Sequence, residues 1–205
     1  MNTRTSLHAR TQKLTMLAIL TALVIVLQIV CTVIKFGPFS ITLALTPIII
    51  GAAIYGPAVG AFLGFLFSLV VYITGLTGMD GGFILLMMDY SALGTTVLCL
   101  LKGTAAGFVA GLLFRPLAAK NKNLAAIVTS IATPVVNTGL FALGMMTIFY
   151  GFLSGSASAG ESPIGMLFLS WIGINFIVEF VVNIALGTVL TRVVDYFNER
   201  LGAKA

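Results

Sequence analysis

The stretch TPIIIGAAIYGPAVGAFLG, residues 46–64, breaks the hydrophobic pattern of a chain that is apolar along most of its length. It contains two prolines, and glycine recurs at every fourth position at Gly56, Gly60 and Gly64. Because a Gly-Pro pair ends most helices, Gly56-Pro57 predicts a tight turn between two helices. The glycine spacing gives the second of these helices one smooth face, which in lipid allows close packing against another helix.

A second stripe of small residues occurs further along the chain, at Gly103, Gly107 and Gly111. Both stripes are typical of internal helix packing. Ala18 and Ala22 form a shorter pair of the same spacing on the first apolar segment. This pair also packs in most proteins, but on a first helix it could receive a helix from another protein.

The composition indicates that the solvent of this chain is a bilayer. Of 205 residues, 59% are hydrophobic and 8% are charged, whereas soluble domains carry about 25% charged residues. We therefore expect an all-α integral membrane protein forming one domain over residues 1–205, without a cleavable signal peptide. With His8 as the one histidine and Cys31 and Cys99 both in apolar runs, we expect no metal site and no cofactor.

Six apolar segments predict six transmembrane helices: residues 13–33, 41–55, 58–73, 93–113, 124–150 and 164–190. The second and third are shorter than the roughly 20 residues that cross a bilayer. We therefore interpret them as a helical hairpin that is tightly turned at Gly56-Pro57. Pro47 is expected to bend the second helix, and protein or a water-filled cavity must cover such irregular backbone.

Positive charge is concentrated on one side of this six-span arrangement. The residues on that side are Arg4, Arg10, Lys13, Arg115, Lys120, Lys122, Arg192, Arg200 and Lys204. By the positive-inside rule the N-terminal tail (residues 1–12), the C-terminal tail (residues 191–205) and both termini are cytoplasmic. The long segments 75–92 and 151–163 then face outward as loops.

Ionisable and amide side chains within spans are costly in lipid and are therefore hypotheses for function. Trp171, Asn175 and Glu179 follow one another at four-residue steps on the last helix, and Asn137 is expected at the depth of Glu179 on the fifth. Lys102, within the fourth helix, is expected to contact an anionic group of a substrate. The alternative is structural, with Lys102 and Glu179 as an internal ion pair and the asparagines as interhelical hydrogen bonds.

The predicted outer loops offer further candidate contacts. Asp89 and Tyr90 lie in segment 75–92, whose glycines would allow it to act as a lid over a pocket. Phe36 and Phe39 flank Pro38 in the first outer loop and could close over a ligand. A solvated loop is the alternative for the acidic residue, and an interfacial anchor is the alternative for Trp171.

The sequence resembles the substrate-binding S components of energy-coupling-factor (ECF) vitamin transporters, over essentially the whole chain. Three features carry the resemblance: the Ala18-x-x-x-Ala22 pair, the run of residues 35–64 with its Gly-Pro turn, and the pairs Asn137-Thr138 and Asn175-x-x-x-Glu179. The resemblance implies a six-helix S-component fold in the plasma membrane of a prokaryote. It also implies docking through Ala18 and Ala22 to a T subunit, which works with two ATPase subunits.

The resemblance further implies a vitamin-binding protein, not an enzyme, that takes up its cargo at the outer face. No nucleic-acid partner is expected. Among vitamins we favour pantothenate, because a single lysine in a hydrogen-bonding pocket suits a small hydroxylated carboxylate. Riboflavin, folate, hydroxymethylpyrimidine and cobalamin remain alternatives. The rival functions are a stand-alone proton-coupled secondary transporter that uses Glu179 and, less favoured, an intramembrane enzyme.

Overall fold

The computed structural model describes residues 3–33, 35–36, 39–40, 42–158, 160–173 and 176–186, together with Arg192 and Tyr196. Its helices are α1 (Thr3–Val33), α2 (Leu45–Tyr55), α3 (Pro57–Leu76), α4 (Phe83–Tyr90), α5 (Ala92–Ala118), α6 (Lys122–Thr147), α7 (Tyr150–Ser156), α8 (Pro163–Ile172) and α9 (Phe176–Leu186). Residues Met166–Ile172 of α8 have π-helical geometry. Between α1 and α2 lies a minimal antiparallel pair, β1 (Lys35–Phe36) and β2 (Phe39–Ser40).

Four of these helices, α1, α3, α5 and α6, are long and apolar enough to cross a membrane, and α8 with α9 would make a fifth span if counted together. The chain is therefore a helical, multi-pass membrane protein. The prediction that the third apolar segment is too short for a span was wrong, because α3 has 20 residues. It begins at Pro57, where a proline costs nothing because the first helical N–H lacks an intrahelical partner anyway. Helix α2, at 11 residues, is short as predicted.

The turn between α2 and α3 consists of a single residue, Gly56. Its φ of 93° lies in the left-handed region, which a residue with a Cβ adopts only with strain. Its N–H donates to the Ala52 carbonyl oxygen at 2.8 Å, and Pro57 opens the next helix. The predicted tight Gly-Pro turn is confirmed.

The two glycine stripes pack against each other and join α3 to α5. A Cβ on Gly60 would meet the carbonyl of Gly107, one on Gly64 would meet the carbonyl of Gly103, and one on Gly111 would meet Pro57. Each of these neighbours is a backbone atom, so a side-chain rotation could not relieve the clash with an added Cβ. The packing interpretation of both stripes is thereby confirmed.

Two segments predicted as outer loops contain helices. Helix α4 lies within segment 75–92 and buries Ile84 and Met87, while α7 lies within segment 151–163 and buries Leu153. Both helices are too short to be stable on their own. Burial of their apolar side chains against other helices stabilises them. Helix α4 packs on α5 and α3, with Ile84 against Gly75.

Candidate functional site

A cavity opens between the helices, with about 830 Å³ of empty space including its mouth. Side chains from α1, α3, α4, α5, α6, α8 and α9 and from the segment before α2 surround it. They are Gln28, Thr42, Phe67, Val71, Asp80, Phe83, Ile84, Met87, Cys99, Lys102, Asn137, Thr138, Phe141, Trp171, Ile172, Phe176 and Glu179.

Two opposite charges face this cavity without forming an ion pair with each other in the described part of the chain. The Glu179 carboxylate is 6% exposed and lies beside the hydroxyl and the backbone N–H of Thr42. The Lys102 Nζ lies 5.2 Å from the centroid of the Phe141 ring. A ligand between them could therefore meet an acceptor on one side and a cation on the other.

Aromatic rings form one wall of the cavity. The Phe83 and Trp171 rings stand edge to face at 5.3 Å between centroids, and Phe83 lies 6.3 Å from Phe141. Phe152 lies behind them, 6.4 Å from Trp171. Rings in this arrangement hold one another in place and offer apolar faces to a flat ligand.

Two buried amides of the lining each have an oxygen to which no described residue donates a hydrogen bond. They are the Oδ1 of Asn137 on α6 and the Oε1 of Gln28 on α1. Asn137 is 5% exposed and Gln28 is 2% exposed. An unsatisfied buried acceptor costs about 1–3 kcal/mol, so both positions are favourable places for a ligand to donate hydrogen bonds.

Asp80 lines the cavity and also contacts the start of α4. Its Oδ1 accepts from the Gly82 N–H at 2.9 Å and its Oδ2 from the Ile84 N–H at 2.8 Å, which satisfies two backbone donors at the start of α4. Helix α4 contributes Phe83, Ile84 and Met87 to the lining. The carboxylate of Asp80 therefore fixes a helix that forms part of the cavity wall.

We expect Asp80→Ala to loosen α4 without unfolding the protein, because losing a capping acceptor costs about 0.5–2 kcal/mol. Backbone amides of residues 83–90 should exchange hydrogen several times faster in detergent, as measured by mass spectrometry. Asp89→Ala is the matched control, since Asp89 is exposed at the other end of the same helix. Equal exchange in the two variants would contradict the role assigned to Asp80.

The cavity brings together four residues that the sequence analysis selected: Lys102, Asn137, Trp171 and Glu179. Two others, Asp89 and Tyr90, belong to α4 and are exposed, and neither lines the cavity. The segment that carries them was expected to be a loop and is helical.

The remaining predicted residues lie elsewhere. Asn175 is outside the described residues. Phe36 and Phe39 are paired in the β1–β2 hairpin, whose backbone is described. Ala18 and Ala22 are exposed on α1, so the surface predicted to dock a partner is uncovered in the isolated chain.

Several lining residues escaped the sequence analysis. Thr42 lies at the very start of the second predicted segment and Asp80 in a predicted outer loop, and a polar side chain is common in both places. Gln28 did carry a signal, since it is an amide within an apolar run. The aromatic residues of the lining resemble ordinary lipid-facing side chains in a sequence: Phe67, Phe83, Phe141 and Phe176.

No group of three or more His, Cys, Asp or Glu side chains suited to a metal ion occurs among the described residues. Besides apolar aliphatic and sulfur-containing side chains, the lining has aromatic rings, amides, hydroxyls and three charged groups. These groups can bind and orient a ligand.

Comparison with known proteins agrees with this architecture. Residues 12–193 match the family described as ECF transporter, substrate-specific component. Comparison with curated proteins gives no match. Among solved structures, ThiT from Listeria monocytogenes is similar, with a TM-score of 0.58 and 22% sequence identity. The alignment covers 90% of this chain and 98% of the ThiT chain, and at this identity the likeness concerns the fold.

Proposed function

This chain belongs to the family of ECF transporter substrate-specific components, and on that premise we propose that it captures a vitamin containing a flat nitrogen heterocycle. Members of this family are substrate-binding subunits of transporters rather than enzymes, and they work with a T subunit and ATPase subunits. The proposal includes six spans within a single domain, cytoplasmic termini and the plasma membrane of a prokaryote.

One observation carries the proposal: aromatic rings line a cavity in which Lys102 and Glu179 are not paired with each other. A buried charge in lipid requires a partner. Among the described residues, Glu179 has the polar groups of Thr42 beside its carboxylate, and the Lys102 Nζ lies over the Phe141 ring. A flat ligand with ring donors towards Glu179 and an acceptor or anionic group towards Lys102 would satisfy both and stack on the aromatic wall.

This cavity does not support the preference for pantothenate. That preference rested on a single lysine in a hydrogen-bonding pocket, whereas five aromatic side chains of the described residues line the cavity: Phe67, Phe83, Phe141, Trp171 and Phe176. Pantothenate has no ring to stack on them. Riboflavin, folate and hydroxymethylpyrimidine do have planar rings, as does thiamine, and these compounds are the better probes.

The position of the cavity along α5 supports an outward opening. Lys102 precedes Arg115 by 13 residues, which at 1.5 Å per residue is about 20 Å along the helix. Arg115 and the neighbouring lysines mark the cytoplasmic end by the positive-inside rule. The binding residues therefore belong to the half of the protein away from the cytoplasm.

Docking of the T subunit is proposed for the exposed α1 surface at Ala18 and Ala22. Small side chains there would allow a partner helix to approach closely, and an uncharged surface suits reversible association in lipid.

A stand-alone proton-coupled transporter remains the second candidate, because Glu179 is a buried carboxylate within the membrane. Uptake that continues without the T and ATPase subunits would favour that candidate.

Binding to the purified chain is the direct test. Trp171 is the one tryptophan in the sequence and lines the cavity, so its fluorescence reports on occupancy without a label. We expect hydroxymethylpyrimidine, thiamine, riboflavin or folate to change this fluorescence and to release heat in titration calorimetry, with pantothenate as the non-aromatic control. Tight binding of pantothenate alone would contradict the proposed substrate class, and absence of binding by all five would contradict the proposed function.

A further inference from the structure

Gln28 is an unusual residue for its place in the fold. It lies on α1, next to Ile29 and Val30, which are 42% and 52% exposed, yet it is itself 2% exposed and faces the cavity. A buried amide in a membrane helix is costly unless something binds it. The hypothesis of a Lys102–Glu179 ion pair gives Gln28 no role. The polar residues predicted to face each other on the last two helices do not include it either.

Hydrogen bonds within α1 determine which end of this amide faces the cavity. The Thr32 hydroxyl donates to the Gln28 backbone carbonyl oxygen at 2.8 Å, so its oxygen can only accept from another group. The Gln28 Nε2 donates to that oxygen at 3.4 Å. Rotating the amide would set two oxygens against each other. The Oε1 is therefore left as an acceptor, and it has no donor within the part of the chain that the structure describes.

Two other residues of the lining also have an oxygen that can accept a hydrogen bond. The Asn137 Oδ1 has no donor among the described residues, and the Glu179 carboxylate beside Thr42 retains acceptor capacity. Helices α1, α6 and α9 thus each contribute a residue with an acceptor to the lining of one cavity. An acceptor on the ligand would be repelled by all three, whereas an N–H group would satisfy them.

From this arrangement we infer that Gln28 is a specificity-determining residue, which with Asn137 and Glu179 selects ligands that have an amino-substituted ring edge. The inference rests on the proposed function, since it concerns the same cavity. It goes further by predicting discrimination between an amino group and a carbonyl oxygen at one ring position. Sites that hydrogen-bond a substrate group reject the analogue lacking it strongly, because their buried polar groups are then left without partners.

Two pairs of probes test this selectivity: thiamine with oxythiamine, and hydroxymethylpyrimidine with its oxo analogue. In each pair a ring amino group is replaced by a carbonyl oxygen. We expect wild-type protein to bind the amino member of at least one pair at least tenfold more tightly, by Trp171 fluorescence and calorimetry. Gln28→Leu should reduce this ratio by about tenfold. Gln12→Leu is the matched control, because Gln12 is the other glutamine of the chain and is exposed on the same helix.

The possible outcomes separate the two proposals. Equal affinity of wild type for amino and oxo members overturns the role of the acceptors, and this measurement needs no variant to fold. An unchanged ratio in a folded Gln28→Leu protein, judged by its melting temperature, overturns the role of Gln28. Binding of riboflavin alone overturns the amino-edge selectivity but leaves the proposed function standing, whereas no binding of any ring-bearing vitamin overturns both.

Discussion

Replacing Gly107 by alanine should lower the unfolding temperature of the protein by about 10 °C, although only one methyl group is added. The new Cβ would meet the Gly60 carbonyl group, with its carbon at 2.6 Å, and the Ile48 Cγ2 at 3.1 Å. Because the first obstacle is backbone, the strain is relieved only if α3 and α5 move apart. Overpacking of this kind costs about 1–3 kcal/mol, occasionally more. Thermal unfolding in detergent, followed by Trp171 fluorescence, measures the effect.

Gly139→Ala is the matched control for this substitution. Gly139 also lies within a long helix, α6, but a Cβ there has no atom within 4 Å. Alanine favours helix over glycine by up to about 1 kcal/mol, so this variant should melt at the wild-type temperature or slightly above it. Equal melting temperatures for the two variants would show that α3 and α5 are not in close contact in the membrane protein.

Internal packing of both glycine stripes was predictable because its signal is contained in the sequence, whereas the pairing of α3 with α5 was not predicted. Glycines at four-residue spacing mark a helix face whatever the surroundings, and Gly56-Pro57 requires a turn in almost any context. Helices α4 and α7 could not be predicted in the same way. Their stability comes from burying Ile84, Met87 and Leu153 against other helices, and a single sequence does not show which surfaces those residues will meet.

The candidate site was predictable to a similar extent. Lys102, Glu179 and Asn137 are conspicuous because polar groups are rare within apolar segments, and the structure brings them to one cavity. The aromatic wall was not predicted, because in the sequence Phe83 and Phe141 cannot be distinguished from apolar residues that face lipid. Only the tertiary arrangement distinguishes a ring that lines the cavity from one that faces lipid. That arrangement changed the preferred substrate from pantothenate to a vitamin with a flat ring.

Lys102→Met should weaken binding of the preferred vitamin by about tenfold to a hundredfold while leaving the melting temperature near that of wild type. A hydrogen bond to a charged group contributes about 1.5–3 kcal/mol, and methionine keeps the length of the side chain without the charge. Stability should be little affected because no ion pair joins Lys102 to Glu179 in the described part of the chain. Calorimetry of the purified variant and thermal unfolding without ligand give the two quantities separately.

These two measurements also decide between the ligand-binding and the structural interpretation of Lys102. If Lys102 and Glu179 were a buried structural pair, removing the lysine would leave an uncompensated charge and cost about 3–5 kcal/mol of stability. The melting temperature would then fall even without vitamin. Lys120→Met, at an exposed position after α5, controls for the loss of one positive charge and should change neither quantity. Wild-type affinity in the Lys102→Met protein would exclude this lysine from the binding site, because a desolvated cation in contact with the ligand cannot be removed without loss.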